Sequence, residues 1–190
     1  MAQDKIYKCI GASNHTADTR QPQDFYATDP NSLRKFLDIF PLSKHIPILE
    51  PACGMGHLSE VLIERGYKVT SSDLYDWGYG KTNVDFFKDY QDWDGTILTN
   101  PPYSEGLEFV KKALDIVPKG NLVIMFLKAQ FVEGKKRREF FDKYPPKYIY
   151  YFTERQVCGK NGKFPKGSAV CYSWWVWEKG YTGEPITRWI

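Results

Sequence analysis

The sequence predicts a doubly wound α/β fold, in which helices cover both faces of a mostly parallel sheet. Two observations indicate this fold. Short apolar runs that end in turn residues alternate with stretches of helical periodicity from residue 30 to residue 152. The run 122–127 is continuously apolar, as expected for a central parallel strand that is covered on both faces. We expect a single seven-stranded sheet with an antiparallel C-terminal strand.

The composition is that of one globular domain. The chain has 190 residues, of which 42% are hydrophobic and 26% are charged. No apolar run approaches the roughly 20 residues that a membrane-spanning helix needs, and the polar start of the chain predicts no signal peptide. We therefore expect a cytoplasmic protein with a polar arm at residues 1–22 and one domain at residues 23–190.

The helices and strands alternate in chain order. A helix is predicted to begin at Asp29-Pro30-Asn31 and to end at Pro41, because apolar residues recur at helical spacing at Leu33, Phe36, Leu37 and Phe40. Ser104 is predicted as the N-cap of a later helix. The remaining predicted helices are 57–65 and 137–144, and the predicted strands are 47–50, 67–72, 95–99, 122–127, 147–152 and 169–177.

The first candidate site is a glycine-containing turn between a strand and a helix. The turn Glu50-Pro51-Ala52-Cys53-Gly54-Met55-Gly56 follows the strand 47–50, and Asp73 ends the next strand. Glycines allow a ligand to approach the backbone, and the helix start offers free N–H groups. An acid at the end of the second strand accepts hydrogen bonds from ribose hydroxyls. Since the third glycine of a dinucleotide fingerprint is missing, an adenosine ligand without phosphate fits better than NAD.

The second candidate site is the turn Asn100-Pro101-Pro102-Tyr103, which follows the strand 95–99. Proline removes a backbone donor and fixes φ, so the turn is rigid and presents carbonyl acceptors. The side-chain oxygen of Asn100 and the backbone oxygen of Pro101 suit the two N–H bonds of a flat amine. Tyr103 offers a face on which a ring stacks.

Together these two motifs resemble those of the S-adenosylmethionine-dependent DNA adenine-N6 methyltransferases, and in particular the small phage and prophage members. The segment Asp24–Pro30 is similar to the one over the methionine part of the cofactor, and Asp85-Phe86 is similar to the motif beside the adenosine ring. The resemblance implies a Rossmann-like class I methyltransferase domain without a separate target-recognition domain. It also implies transfer of a methyl group from S-adenosylmethionine to the N6 amine of adenine in DNA.

The resemblance assigns roles to individual residues. The catalytic set is Asn100, Pro101, Pro102 and Tyr103. The S-adenosylmethionine-binding set is Phe25, Tyr26, Thr28, Glu50, Pro51, Ala52, Cys53, Gly54, Gly56, Asp73, Leu74, Asp85, Phe86 and Asn100. The chemistry requires no metal, and the cysteines and histidines form no metal-ligand spacing.

The partner implied is DNA, with the target adenine flipped out or single-stranded. The net charge of +3 permits a polyanionic partner. Two groups of basic residues are the candidate phosphate contacts. They are Lys135, Lys136, Arg137 and Arg138, and Lys160, Lys163 and Lys166.

Two alternative functions remain open from the sequence. The Asn-Pro-Pro-Tyr motif also serves methyltransferases that act on ribosomal RNA bases or on glutamine side chains of proteins. A catalytically silent nucleic-acid-binding module is the other alternative, against which the intact Gly54, Asp73, Asn100 and Tyr103 argue.

Overall fold

The computed structural model describes residues 27–159 and 170–190. Its strands are β1 (Ala27–Thr28), β2 (Ile48–Glu50), β3 (Val69–Ser71), β4 (Thr96–Thr99), β5 (Leu122–Lys128), β6 (Tyr148–Tyr151), β7 (Cys158–Gly159), β8 (Tyr172–Glu178) and β9 (Ile186–Trp189). Its helices are α1 (Pro30–Ile39), α2 (His57–Glu64), α3 (Phe86–Asp89), α4 (Gly106–Ile116) and α5 (Lys135–Lys143), with a 3-10 helix at Ala129–Val132. Within these two stretches of chain, no helix is long and apolar enough to cross a membrane.

Seven strands form one sheet in the order β3-β2-β4-β5-β8-β6-β9. Strands β3, β2, β4 and β5 run parallel to one another, and β8 runs antiparallel to both of its neighbours. The predicted doubly wound, mostly parallel sheet with an antiparallel strand is therefore confirmed. The antiparallel strand lies inside the sheet, and the edge strand β9, which the sequence analysis did not find, pairs in parallel with β6.

Alternate residues of the central strands point to opposite faces, as the two-residue repeat of a strand requires. Ile48 packs with α1 and α2, whereas its neighbour Leu49 packs with α4 on the other face. Trp174, Trp175 and Trp177 of β8 are all buried, which agrees with the expectation that they fill the core. Both faces of the sheet are thus covered, so a ligand can reach the sheet at the ends of its strands.

A second, two-stranded sheet is made by segments that are distant in sequence. Strand β1 pairs antiparallel with β7, with Thr28 opposite Cys158. The pair connects the residues just before α1 with the segment that follows β6. The sequence analysis did not predict this sheet, because two-residue strands carry no periodicity.

Two helix starts differ from their predictions. Ser104 is not the N-cap of α4, because Glu105 N–H donates to Pro102 O at 2.9 Å and this turn is completed before the helix begins at Gly106. Helix α5 begins at Lys135 rather than at Arg137, so the whole basic run 135–138 lies in its first turns.

The chain after β3 doubles back against the sheet through a glycine-containing loop. Lys81 N–H donates to Ser71 O at 2.9 Å, and Asp73 N–H donates to Lys81 O at the same distance. Gly80, just before Lys81, has φ +67°, and a Cβ there would lie 2.8 Å from Ser71 O and 2.9 Å from Cys53 Sγ. Gly78 also has a positive φ, +81°, but a Cβ there would meet nothing within 4 Å.

We therefore expect Gly80→Ala to lower the free energy of unfolding more than the matched variant Gly78→Ala. Both variants incur the left-handed backbone cost of about 1–2 kcal/mol. Only Gly80→Ala adds a clash with a backbone carbonyl that the sheet holds in place. Urea denaturation of the two variants measures the difference, and equal losses would contradict the close packing of this loop.

Candidate active site

A cavity of about 540 Å³ opens at the carboxyl ends of β2, β3 and β4. Most residues of the two predicted sites line it. They are Thr28, Glu50, Pro51, Ala52, Cys53, Gly54, Asp73, Leu74, Asp85, Phe86, Asn100, Pro101, Pro102 and Tyr103. The structure thus brings two turns that are separated in sequence to one concave surface.

Of the described cofactor residues, Gly56 alone is absent from this lining. Phe25 and Tyr26 lie outside the described residues. Gly56 stands at the start of α2, and the ring of Tyr79 packs so closely on it that a Cβ would come within 2.5 Å of the ring. Gly56 therefore shapes the turn from behind the cavity wall.

The turn after β2 depends on left-handed backbone at both of its glycines. Gly54 has φ +51° and Gly56 has φ +84°, conformations in which a side chain is strained. Gly56 is the N-cap residue of α2, and its carbonyl accepts the hydrogen bond from Glu60 N–H at 2.8 Å. The turn therefore delivers the chain directly into a helix whose first residues, His57 and Leu58, line the cavity.

The carboxylate of Asp73 fastens this turn to the end of β3. Its Oδ2 accepts Gly54 N–H at 2.9 Å, and its Oδ1 accepts Tyr75 N–H at 2.9 Å and Trp77 Nε1–H at 3.1 Å. Each carboxylate oxygen has two lone pairs, so Oδ2 retains one acceptor position toward the cavity. Burial raises the pKa of Asp73, and these three hydrogen bonds oppose that rise.

Glu50 is the most deeply buried carboxyl group of the cavity wall. It is 1% exposed, and its carboxyl accepts a hydrogen bond from Ser59 Oγ, which lies 2.6 Å from Ser71 Oγ. Loss of hydration raises the pKa of Glu50 from its ordinary value of 4.5 to about 8, and the charge of Asp73 adds to the rise. Glu50 thus holds its proton near neutral pH and links β2, α2 and β3.

Asp85 and Phe86 are adjacent at the start of α3, but their side chains make different contacts. The carboxylate of Asp85 caps α3 by accepting Phe87 N–H at 2.9 Å, and Lys88 lies 2.8 Å from it and lowers its pKa. Phe86 is buried and stacks on Phe109 with ring centroids 5.0 Å apart. Both residues line the cavity, where Phe86 contributes a flat apolar wall.

The Asn100–Tyr103 turn leaves β4 on the other side of the cavity. Tyr103 is anchored away from solvent, since its hydroxyl lies 3.3 Å from Cys158 Sγ and its ring packs 5.9 Å from that of Tyr172. Burial raises the pKa of Tyr103 well above its ordinary value, so the hydroxyl stays protonated. The ring of Tyr103 is therefore a neutral flat surface with a fixed orientation.

The β1–β7 pair lies over the cavity and contributes Ala27 and Thr28 to its lining. Thr28 is 3% exposed, and its Oγ1 has no hydrogen-bond partner among the residues that the structure describes. A buried hydroxyl without a partner is costly, so a ligand in the cavity that supplies a donor or acceptor stabilises it. This atom fits the predicted role of Thr28.

The basic residues of the run 135–138, predicted to contact phosphates, lie outside the cavity lining. Lys135, Lys136 and Arg138 are exposed on α5. Arg137 has an internal role, because its guanidinium donates to Phe131 O at 3.1 Å and Glu133 O at 2.9 Å. The second basic group, Lys160, Lys163 and Lys166, lies outside the described residues.

Sequence reasoning missed the aromatic loop that follows Asp73. Tyr75 and Trp77 line the cavity, and Tyr79 supports the glycine turn. The signal was present as three aromatic residues in the five positions 75–79, directly after the predicted ribose-binding acid. Phe109 was also missed, because its helical spacing indicated only core packing.

The thiol of Cys53 also lines this cavity. Burial raises the pKa of the Cys53 thiol to about 12, so the thiol is unreactive. In residues 27–159 and 170–190, no three histidine, cysteine or acidic side chains are grouped as ligands for a metal ion.

No protein-family model matches this sequence, and a comparison with curated proteins yields no match. Solved structures do match. A candidate RNA methyltransferase from Pyrococcus horikoshii superimposes with a TM-score of 0.60 at 15% identity, covering 94% of this chain and 99% of that one. A candidate class I S-adenosylmethionine-dependent methyltransferase from Listeria monocytogenes matches with a TM-score of 0.58 at 12% identity, covering 100% and 71%.

A third match is the modification subunit of a candidate type I restriction enzyme from Vibrio vulnificus, with a TM-score of 0.56 at 14% identity. The alignment covers 88% of this chain and 47% of the subunit, so the chain spans about half of that protein. At these identities the likeness establishes the fold. The protein has the Rossmann-like class I methyltransferase fold that the resemblance implied.

The state of Glu50 predicts a dependence of stability on pH. In the unfolded chain Glu50 ionises as the pH passes its ordinary pKa of 4.5, whereas the folded protein keeps the proton up to about pH 8. The unfolded state therefore binds fewer protons in this window, and the free energy of unfolding falls as the pH rises through it. We expect Glu50→Gln, which mimics the protonated form, to reduce this fall.

Urea denaturation between pH 5 and pH 8.5 on the wild type and on Glu50→Gln measures the effect. Glu64→Gln is the matched control, because Glu64 is an exposed carboxyl whose contact is a surface ion pair with Arg34. Identical pH slopes for the wild type and Glu50→Gln would show that Glu50 is ionised in the folded protein.

Proposed function

We propose that this protein transfers a methyl group from S-adenosylmethionine to the exocyclic N6 amine of adenine in DNA. One observation carries the proposal. A single cavity is lined on one side by the Gly54 turn and Asp73, and on the other by the turn Asn100–Tyr103. A methyl donor and a flat amine held by these two walls would meet inside one cavity.

The cofactor side of the cavity has the donors and surfaces that S-adenosylmethionine needs. Its volume lies within the usual range of roughly 300–1,000 Å³ for small-molecule sites. We assign Asp73 as the acceptor of a ribose hydroxyl, and Leu74 and Phe86 as the apolar surface for the adenine ring, because all three residues line the cavity. We assign Thr28 Oγ1 to the methionine end, because it is buried and has no hydrogen-bond partner among the described residues.

The acceptor side explains how a poor nucleophile is made reactive. The amine of adenine has a lone pair that is delocalised into its ring. When Asn100 Oδ1 and Pro101 O accept its two N–H bonds, the nitrogen becomes pyramidal and its lone pair is directed toward the cofactor side. S-adenosylmethionine supplies, when bound, the electrophilic methyl group. The contribution of this chain is therefore positioning and electrostatics.

The acceptor is proposed to enter as a single unstacked base. An adenine inside a duplex would not reach Tyr103, so it must be flipped out at a cost of about a few kcal/mol or start unpaired. Phosphate contacts offset this cost. The candidates among the described residues are Lys135, Lys136 and Arg138, which are exposed on α5, and Arg137, whose guanidinium also binds backbone carbonyls. Lys160, Lys163 and Lys166 are the candidates outside the described residues.

We propose one methyltransferase domain over residues 23–190, with sequence preference arising from loops around the cavity. The candidate segments are 131–138, 155–168 and the arm at residues 1–22. Segment 131–138 forms the end of the 3-10 helix and the start of α5, and the described part of the second segment, 155–159, contains β7.

The decisive assay incubates the protein with methyl-labelled S-adenosylmethionine and, in parallel, unmethylated DNA, RNA and a protein extract. Label in DNA that elutes as N6-methyl-2′-deoxyadenosine after nucleoside analysis supports the proposal. Label only in RNA or only in glutamine residues would replace the acceptor with one of the two alternatives. Cofactor binding by calorimetry without any labelled acceptor would favour a catalytically silent binding module.

We expect Asn100→Ala to abolish methyl transfer and to leave the dissociation constant for S-adenosylmethionine within a few-fold. The variant removes one of the two acceptors for the amine and leaves Asp73 and the glycine turn intact. Asn31→Ala, at an exposed asparagine on α1, is the control. Undiminished transfer by Asn100→Ala would contradict the role of this turn.

We expect Asp73→Ala to weaken S-adenosylmethionine binding by about 1–3 kcal/mol, through lost hydrogen bonds to buried ribose hydroxyls. It should also lower the free energy of unfolding, because the carboxylate holds Gly54 N–H and Tyr75 N–H. Trp77→Phe separates the two effects, since it removes a donor to Asp73 and keeps the carboxylate. Calorimetric affinity that is unchanged in Asp73→Ala would overturn the ribose assignment.

A further inference from the structure

The side chain of Lys128 packs on the ring of Tyr103. Lys128 is the last residue of β5, and its ammonium lies 4.8 Å from the centroid of that ring. Lys128 is half-buried, and no carboxylate of the described residues forms an ion pair with it. An ammonium over an aromatic face is attracted by the negative potential of the ring.

The sheet fixes where this ammonium stands. Lys128 pairs with Tyr172 across β5 and β8, and the ring of Tyr172 packs against that of Tyr103. Lys128 is absent from the cavity lining, whereas Tyr103 belongs to it. Lys128 therefore contacts Tyr103 without being part of the cavity wall.

Three contact points with Tyr103 lie within the described residues. Cys158 lies at its hydroxyl, Tyr172 at its ring and Lys128 over one face. Cys158 belongs to β7 and Tyr172 to β8, so two of these points come from parts of the chain that are remote from the Asn100–Tyr103 turn. A stacking surface that is ordered before the ligand arrives gives a higher affinity, because no free energy is then lost in ordering it during binding.

We propose that Lys128 is a positioning residue, which acts through Tyr103 to fix the surface on which the acceptor stacks. The inference rests on the proposed function, since it assigns Tyr103 to the acceptor. Lys128 touches neither the acceptor nor the cofactor. We therefore expect substitution of Lys128 to change the kinetics for the acceptor and not the affinity for the cofactor.

A double-mutant cycle on methyl transfer tests this inference. Lys128→Met keeps the length and apolar stem of the side chain and removes the charge, whereas Lys128→Arg keeps a cation that also stacks on rings. We expect Lys128→Met to lower kcat/KM for the acceptor by about tenfold, with cofactor affinity unchanged, and Lys128→Arg to retain activity within about threefold. Lys119→Met, at an exposed lysine before the other end of β5, is the matched control.

The cycle is completed with Tyr103→Ala. If Lys128 acts through the ring, adding Lys128→Met to Tyr103→Ala changes the residual kcat/KM by less than about twofold. Independent, multiplying effects would overturn the inference. So would a fall of about one in the salt slope of nucleic-acid binding in Lys128→Met, because it would show that Lys128 contacts a phosphate.

A second measurement does not depend on activity. In protein labelled with 3-fluorotyrosine, the ¹⁹F resonance of Tyr103 is identified by its loss in Tyr103→Phe. We expect Lys128→Met to shift this resonance and Lys119→Met to leave it in place. An unmoved resonance would overturn the positioning role. A shifted resonance with no methyl transfer to any acceptor would keep the contact and refute the proposed function instead.

Discussion

The cavity depends on one buried carboxylate. Asp73 joins the turn after β2, the end of β3 and the aromatic loop that follows, through hydrogen bonds to Gly54, Tyr75 and Trp77. Charged acceptors form the stronger hydrogen bonds of proteins, and the buried N–H of Gly54 would otherwise lose its partner. The side chain that is proposed to bind a ribose therefore also builds the wall around it.

The two sides of the cavity are made rigid by different means. On the cofactor side, left-handed glycines and the protonated Glu50 hold the strand ends together. On the acceptor side, two prolines restrict the turn and a cluster of side chains immobilises Tyr103. Backbone conformation dominates on one side and side-chain packing on the other, which accords with a cofactor of fixed structure and an acceptor that must be admitted and released.

The central fold was accessible from the sequence because its signals are local. The apolar run 122–127, the helix start at Asp29-Pro30 and the glycine turn each carry their own pattern, and each is found where it was predicted. Strands β1, β7 and β9 were not accessible. Two of them are two residues long, and the residues of β9 are all exposed, so no burial pattern marks any of the three.

The candidate site was predicted as far as its motifs extend. Asn100 and Asp73 carry recognisable sequence contexts, whereas Trp77 and Lys128 act through contacts that only the fold creates. Ser104 was misplaced for a similar reason, since the hydrogen bond of the preceding turn delays the start of α4. Sequence patterns therefore identified the proposed reacting groups, but not the side chains that contact them.

The short β1–β7 pair has a consequence for how molecules enter and leave. Among the described residues it joins two residue pairs, whereas β5 and β8 are joined by seven. Local opening of a protein begins where few hydrogen bonds and few buried contacts must be broken. Separation of β1 from β7 would uncover the cavity at Thr28 without disturbing the seven-stranded sheet. The same pair contains Cys158, which contacts Tyr103, so departure of a product and release of the acceptor surface are expected to occur in one movement.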